Sequence, residues 1–172
     1  MADVKAGTHQ LFLREEELRK SIELLFFAYR DFTGEVDKVL EDLSFGRAHH
    51  RVIYFVGRHP GMPVSDLLAI LRITKQSLSR VLGQLLQEGY IVQREGIRDR
   101  RQRLLELTAK GIALEQQLTE RQRRRVAQAF REAGPQAVEG FRTVLRSLID
   151  EPDRARFTSD PKPGLASRRD AS

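Results

Sequence analysis

Three arginines stand within four residues, Arg98, Arg100 and Arg101, with one carboxylate, Asp99, among them. A guanidinium is a planar, permanently charged donor fork that matches phosphate oxygens and the edge of guanine. No packing requirement explains three of them on one polar stretch. Upstream, Thr74, Lys75, Gln76, Ser77, Ser79 and Arg80 form a second polar group. Glutamine can bond adenine through two hydrogen bonds, arginine or lysine can bond guanine, and short hydroxyl side chains suit phosphate. Together the two groups offer recognition of a polyanion that has readable edges. Asp99 is the exception, since a carboxylate repels phosphate. It is expected to pair with a neighbouring arginine, with Arg101 in reach, and so to hold the loop in shape.

Such residues need a scaffold, and the apolar spacing supplies one. Leu78, Val81, Leu82, Leu85 and Leu86 step by three and four, which predicts a helix from Lys75 to Glu88 with its polar residues on the opposite face of its first half. Thr74 suits its N-cap and Gly89 its stop. A short helix with Val64, Leu67, Leu68 and Leu71 inward precedes it across a tight turn at Arg72-Ile73, after Pro63. Two helices on so short a turn form a helix-turn-helix, whose second member can enter the major groove. A further helix, opened by Ser44 or Gly46, is predicted from Arg47 to Arg58 and ends at His59-Pro60-Gly61. The apolar runs Tyr90–Val92 and Leu104–Leu107 flank the arginine stretch as a two-stranded hairpin with a basic tip. Taken alone, the polar helix face also fits an ordinary surface helix and the tip a solvated turn. Their succession favours double-stranded DNA, because a narrow minor groove attracts inserted arginine.

Leu18, Ile22, Leu25, Phe26, Tyr29, Phe32, Val36, Val39, Leu40 and Leu43 describe one long amphipathic helix, weakened or bent at Gly34. Its apolar face exceeds what one small core can cover, which implies a second copy of the chain. A fifth helix is predicted from about Thr108 to Glu132. Gly134-Pro135 breaks it before a sixth, with Val138, Phe141, Val144, Leu145, Leu148 and Ile149 on one face. From Glu151 onward three prolines and few apolar residues predict a disordered tail. The expected fold is mainly α, a winged helix-turn-helix with long terminal helices. The expected organisation is a dimerisation helix over 1–45, the DNA-binding domain over 46–107, dimerisation helices over 108–150 and the tail over 151–172. A second basic cluster, Arg121, Arg123, Arg124 and Arg125, reads as a solvated helix face paired with Glu120 and the acidic first helix.

The bulk charge fits this division. The net charge is +6. Residues 1–45 carry ten acidic against six basic side chains, and residues 72–103 carry eight basic against three acidic. The absence of cysteine excludes disulfides and thiol-based redox sensing. It fits a cytoplasmic protein. Met1–Gln10 lacks a signal-peptide pattern, and no apolar run is long enough for a membrane span. Catalysis is not expected, for want of a phosphate-binding glycine loop or a convincing metal-ligand spacing. No cofactor and no metal site are expected. His49 and His50 point about 100° apart on a helix, so one metal could not easily take both; haem ligation by one of them stays open. An alternative to DNA binding is a winged helix that binds protein.

From about Leu43 to Gly111 the chain resembles the MarR family of bacterial regulators. The stretches that carry the likeness are His59-Pro60-Gly61-Met62-Pro63-Val64-Ser65-Asp66-Leu67, Thr74-Lys75-Gln76-Ser77-Leu78-Ser79-Arg80, Asp99-Arg100-Arg101-Gln102-Arg103 and Leu107-Thr108-Ala109-Lys110-Gly111. With the flanking helices, the resemblance covers roughly Leu11 to Ile149. His49-His50-Arg51 with Tyr54-Phe55 is similar to a proteobacterial subgroup, the PetP type. The resemblance implies a homodimer on a pseudo-palindromic site, with Asp99 and Arg101 matching the family's wing pair. Binding near a promoter blocks polymerase most simply, so repression is the expected sign, with activation by displacing another repressor left open. It also implies that a small, commonly aromatic effector could bind between the dimerisation helices and the winged domain. Phe26, Tyr29, Phe32, His49, His50, Arg51 and Tyr54 are then candidate pocket residues. The competing reading makes the aromatics core and the histidines helix-surface or inter-helix hydrogen-bonding groups.

Overall fold

A computed structural model of the protein describes residues 11–157. After a single turn of 3-10 helix at Leu11–Leu13, α1 runs from Glu15 to Gly34 and α2 from Asp37 to Asp42. The predicted single helix is thus interrupted at Gly34. The interruption redirects the chain so that Val36 and Leu40 are fully buried, whereas α1 buries no residue at all. Glycine is the residue least costly to release from a helix, because a helix fixes its freedom at the greatest entropic loss.

The winged unit follows. α3 spans Arg47–Arg58, β1 Met62–Pro63, α4 Val64–Leu71, α5 Lys75–Gln87, β2 Ile91–Glu95 and β3 Arg103–Leu107. Val52, Ile53 and Val56 of α3, Leu67 of α4, Leu78, Val81 and Leu85 of α5, and Ile91 and Leu105 of the sheet form one core with Val36, Leu40 and Phe45. The sheet has three antiparallel strands in the order β1-β3-β2, one more than the predicted hairpin. The extra strand is short and contains Pro63, which lacks an N–H and is tolerated at a sheet edge. Met62 faces Leu105 and Pro63 faces Leu104, and the Gly61 N–H donates to the Leu105 carbonyl at 2.8 Å.

α6 spans Ala109–Ala133. Leu114 and Leu118 join the core, and buried Gln122 donates from its amide to the Phe32 carbonyl near the end of α1. The chain divides into two compact units between Arg125 and Val126. In the second, α7 (Pro135–Leu148) follows Gly134, whose φ of +80° ends α6, and Pro135 begins the next helix. Phe130 and Phe141 meet edge to face at 6.0 Å. Residues 151–157 are ordered, as the one-turn helix α8 (Glu151–Arg154) and a 3-10 turn. This corrects the expected disorder there; Pro152 sits in the first turn of α8, where its missing N–H costs nothing. The rest of the expected tail, from 158, lies outside the described residues.

Two apolar surfaces are uncovered in these units. On α1, Ile22, Leu24 and Phe26 are each more than 60% exposed, and on α7 Val144 and Leu148 are similarly open. A helix of 20 residues with none of them fully buried draws little packing energy from its own chain, and most helical stability in proteins comes from packing an amphipathic face.

Candidate nucleic-acid interface

α4 and α5 are joined by three residues, Arg72, Ile73 and Thr74. Arg72 takes a left-handed conformation, φ +49°, and its N–H still reaches the Leu68 carbonyl at 3.0 Å. Thr74 caps α5: its Oγ1 accepts from the Ser77 N–H at 3.1 Å and donates to Ser77 Oγ at 2.9 Å. Such a cap is worth about 1 kcal/mol. The two hydroxyls suggested by sequence for phosphate contact therefore serve first to start the helix, and Ser77 Oγ keeps its own proton free to donate. Leu78, Val81, Leu82 and Leu85 are buried, while Lys75, Gln76, Ser79 and Arg80 are exposed on the other side of the first turns. The apolar anchor thus presents the polar face outward.

The wing is β2 and β3, paired from Ile91–Leu107 to Glu95–Arg103. Arg103 pairs with Glu95 at 2.9 Å and Arg94 with Glu106 at 3.4 Å, so the basic residues of the strands are neutralised across the ladder. At the tip the Gly96 N–H bonds the Gln102 carbonyl and the Gln102 N–H bonds the Asp99 carbonyl. Gly96 is buried under this turn. A Cβ there would lie 2.6 Å from the Asp99 carbonyl oxygen, so no larger residue fits without moving backbone. Asp99 does not pair with the Arg101 guanidinium, contrary to the expectation. Its Oδ1 accepts from the Arg101 backbone N–H at 2.9 Å. A side-chain carboxylate two residues upstream closes an Asx-type turn and leaves the guanidinium unoccupied. Arg98, Arg100 and Arg101 are all exposed, and none forms an ion pair among the described residues.

Behind the interface, α5 ends against the start of α6. Thr108 Oγ1 donates to the Gly89 carbonyl at 2.7 Å and accepts from the Gly111 N–H at 3.1 Å. Gly111 is required because a Cβ would overlap the Tyr90 carbonyl oxygen. That is the physical content of the Leu-Thr-x-x-Gly stretch: a hydroxyl cap and a close backbone approach. Lys110 Nζ donates to the Glu88 carbonyl at 2.9 Å and lies 4.1 Å from the Tyr90 ring centroid. The sequence does not foretell the contacts of Gln84, Glu88 and Lys110, whose long polar chains give no periodic signal.

The histidine region is structural in part. His49 bonds the Gly46 N–H through Nδ1 and Gln84 of α5 through Nε2. It is an inter-helix hydrogen-bonding group. His50 Nε2 is buried with no hydrogen-bond partner. Burial, aided by the neighbouring Arg51 charge, holds its pKa below the ordinary value, against the opposing pull of Asp37. Arg51 donates to the Tyr29 hydroxyl at 2.8 Å. Phe26 and Tyr29 are exposed on α1 rather than core, while Phe32 and Tyr54 are half-buried. Among the described residues no group of acidic, histidine or cysteine side chains could hold a metal ion.

The MarR family model matches residues 43–102, which span α3 through the wing tip. A much longer likeness exists to the HTH-type transcriptional regulator PetP of Rhodobacter capsulatus, 50% identical over 91% of this chain and 96% of that protein. The chain belongs to the MarR family of transcriptional regulators. Solved structures agree on the fold. FabT of Streptococcus pneumoniae, in complex with DNA, superposes with a TM-score of 0.62 at 19% identity, over 76% of this chain and 94% of that one. NadR in complex with 4-hydroxyphenylacetate gives 0.63 at 22% identity, over 72% and 88%. The three-stranded sheet and capped second helix are therefore the winged helix of a MarR-family regulator. Among the described residues no helix is long and apolar enough to cross a membrane.

Proposed function

We propose that two copies of this MarR-family chain form a repressor that reads a pseudo-palindromic duplex site. The observation that carries the reading is the free charge. Lys75 and Arg80 on α5, and Arg98, Arg100 and Arg101 on the wing, are exposed cations without acidic partners among the described residues. In the proposed complex, Lys75, Gln76, Ser79 and Arg80 face base edges in the major groove, and Thr74 and Ser77 lie toward phosphate at the positive end of α5. The wing arginines reach the adjoining minor groove, and Asp99 keeps the tip in shape. The relative FabT, seen with DNA, supports this assignment. The uncovered apolar faces of α1 and α7 support a second copy of the chain, which would set two recognition helices about 34 Å apart. Bound at a promoter, such a dimer would exclude polymerase.

For the effector, we propose a small aromatic acid held near Arg51 and Tyr29, with His50, Phe26 and Tyr54 around it; His49, whose two ring nitrogens are both bonded, stands outside this set. The Arg51–Tyr29 bond and the unpartnered His50 nitrogen support the location, and the ligand of NadR supports the class. The DNA reading is tested by titrating salt against binding to random-sequence duplex. Counterion release predicts a linear fall of log affinity with log salt, with a slope of about −0.9 per phosphate neutralised. A flat dependence would instead favour a winged helix that binds protein.

A further inference from the structure

His49 has both ring nitrogens committed. Nδ1 lies 3.1 Å from the backbone nitrogen of Gly46, and a backbone N–H can only donate, so Nδ1 is the acceptor. In the neutral ring the proton is then on Nε2, which donates to Gln84 Oε1 at 2.9 Å. The amide of Gln84 is thereby oriented, and its Nε2 donates to Glu88 Oε1 at 2.9 Å. One directed chain of bonds thus runs from the first turn of α3 to the last turns of α5. A second route closes the circuit. The His49 ring stacks on Phe45 at 4.7 Å, Phe45 meets Tyr90 edge-on at 5.3 Å, and Lys110 links Tyr90 to the Glu88 carbonyl.

We propose that the His49–Gln84 bond is a positioning contact that fixes the rotation of α5 about its own axis, and so the base register of Lys75, Gln76 and Arg80, although neither residue touches DNA. The inference rests on the DNA-reading role proposed above. Leu78, Val81, Leu82 and Leu85 hold α5 on the core, but apolar contact is non-directional and tolerates rotation. A hydrogen bond weakens steeply when its angle is lost. Side-chain ends lie about 5–6 Å from a helix axis, so a turn of roughly 10° displaces them by about 1 Å. That shift is enough to spoil a bidentate contact to a base edge, and it leaves attraction to phosphate almost untouched.

Two variants separate the two bonds of His49. In His49→Asn the side-chain oxygen stands where Nδ1 was and keeps the Gly46 cap, but the chain is too short for Gln84. In His49→Gln the amide nitrogen stands where Nε2 was and keeps the Gln84 bond, but the cap is removed. The probes are a duplex that the wild-type protein selects from a randomised pool, and a random-sequence duplex of equal length at equal salt. Removing one such bond is expected to lower the selected-to-random affinity ratio about five- to tenfold in His49→Asn. Its salt slope should stay at the wild-type value, and its melting temperature should fall no further than that of His49→Gln. His49→Gln should keep the ratio and melt at a lower temperature. Gln84→Leu should match His49→Asn, and the double variant should fall no further than either. A wild-type ratio in His49→Asn, or an equal fall in His49→Gln, overturns the positioning role while leaving the DNA reading intact. A wild-type protein that selects no duplex removes both.

Discussion

Arginines crowd two places in this chain, and their surroundings differ. On α6, Arg123 and Arg124 share the Glu120 carboxylate at 2.7 and 2.9 Å, and Arg125 holds Glu35 at 2.7 Å. At the wing tip, Arg98, Arg100 and Arg101 have no such partner, and the one nearby carboxylate, Asp99, is turned onto backbone. Exposed ion pairs add little to stability, so pairing on α6 is not chiefly about holding the fold. Its effect is on what the guanidinium can still do. A paired arginine must give up a carboxylate to take a phosphate; a free one need only release counterions. Clustering of basic residues is therefore a poor signal by itself, and the absence of counter-charge is the better one.

The largest expected effect breaks or upholds that contrast directly. Replacing Arg98, Arg100 and Arg101 together with alanine should lower affinity for random duplex by about a hundredfold at physiological salt. Two copies lose six guanidinium groups, so the salt slope should also flatten by about five, at about 0.9 for each phosphate no longer neutralised. The matched replacement of Arg123, Arg124 and Arg125 should change affinity by less than about threefold. Equal effects from both triples, measured by fluorescence anisotropy across a salt series, would erase the distinction between the clusters. A smaller effect separates charge from reading. Gln76→Ala should cost about 1–3 kcal/mol at one base-pair position and leave the salt slope unchanged. A weakening spread evenly over all sequences would move Gln76 from the base edge to the backbone side of the interface.

The same contrast separates what local sequence rules can foretell from what they cannot. The helix-turn-helix, the Thr74 cap, the hairpin and the pairing of Arg123 and Arg124 with Glu120 all follow from local rules of period, cap and turn, and the structure carries each of them. The features that local rules miss depend on neighbours far along the chain. Strand β1 exists because residues 62–63 lie beside Leu104 and Leu105, which no local pattern announces. Gly34 is a visible weak point in the first helix, but the depth of the break is set by the burial of Val36 and Leu40 against α3. For Asp99, sequence points to the right duty, shaping the tip, and to the wrong partner. Sequence distance places Arg101 within reach without saying whether its side chain or its N–H is met. His49 is indeterminate for the same reason, since Gln84 stands 35 positions away.

The smallest expected effect is also the sharpest test, because it should convert one cluster into a likeness of the other. Arg123 and then Arg124, by their hydrogen bonds, hold the Glu120 carboxyl down to about 2, so it remains ionised in any ordinary binding buffer and pH cannot unpair it. Glu120→Gln removes the charge at nearly constant shape and frees both guanidinium groups. If counter-charge is what silences α6, random-duplex affinity should rise, by about twofold at low salt, and the gain should vanish as the Debye length shrinks toward 3 Å near 1 M salt. No gain at low salt would mean that the α6 arginines are idle because of where they sit, and that pairing with Glu120 is incidental. The wing would then owe its role to its place at the tip of a hairpin more than to its unpaired charge.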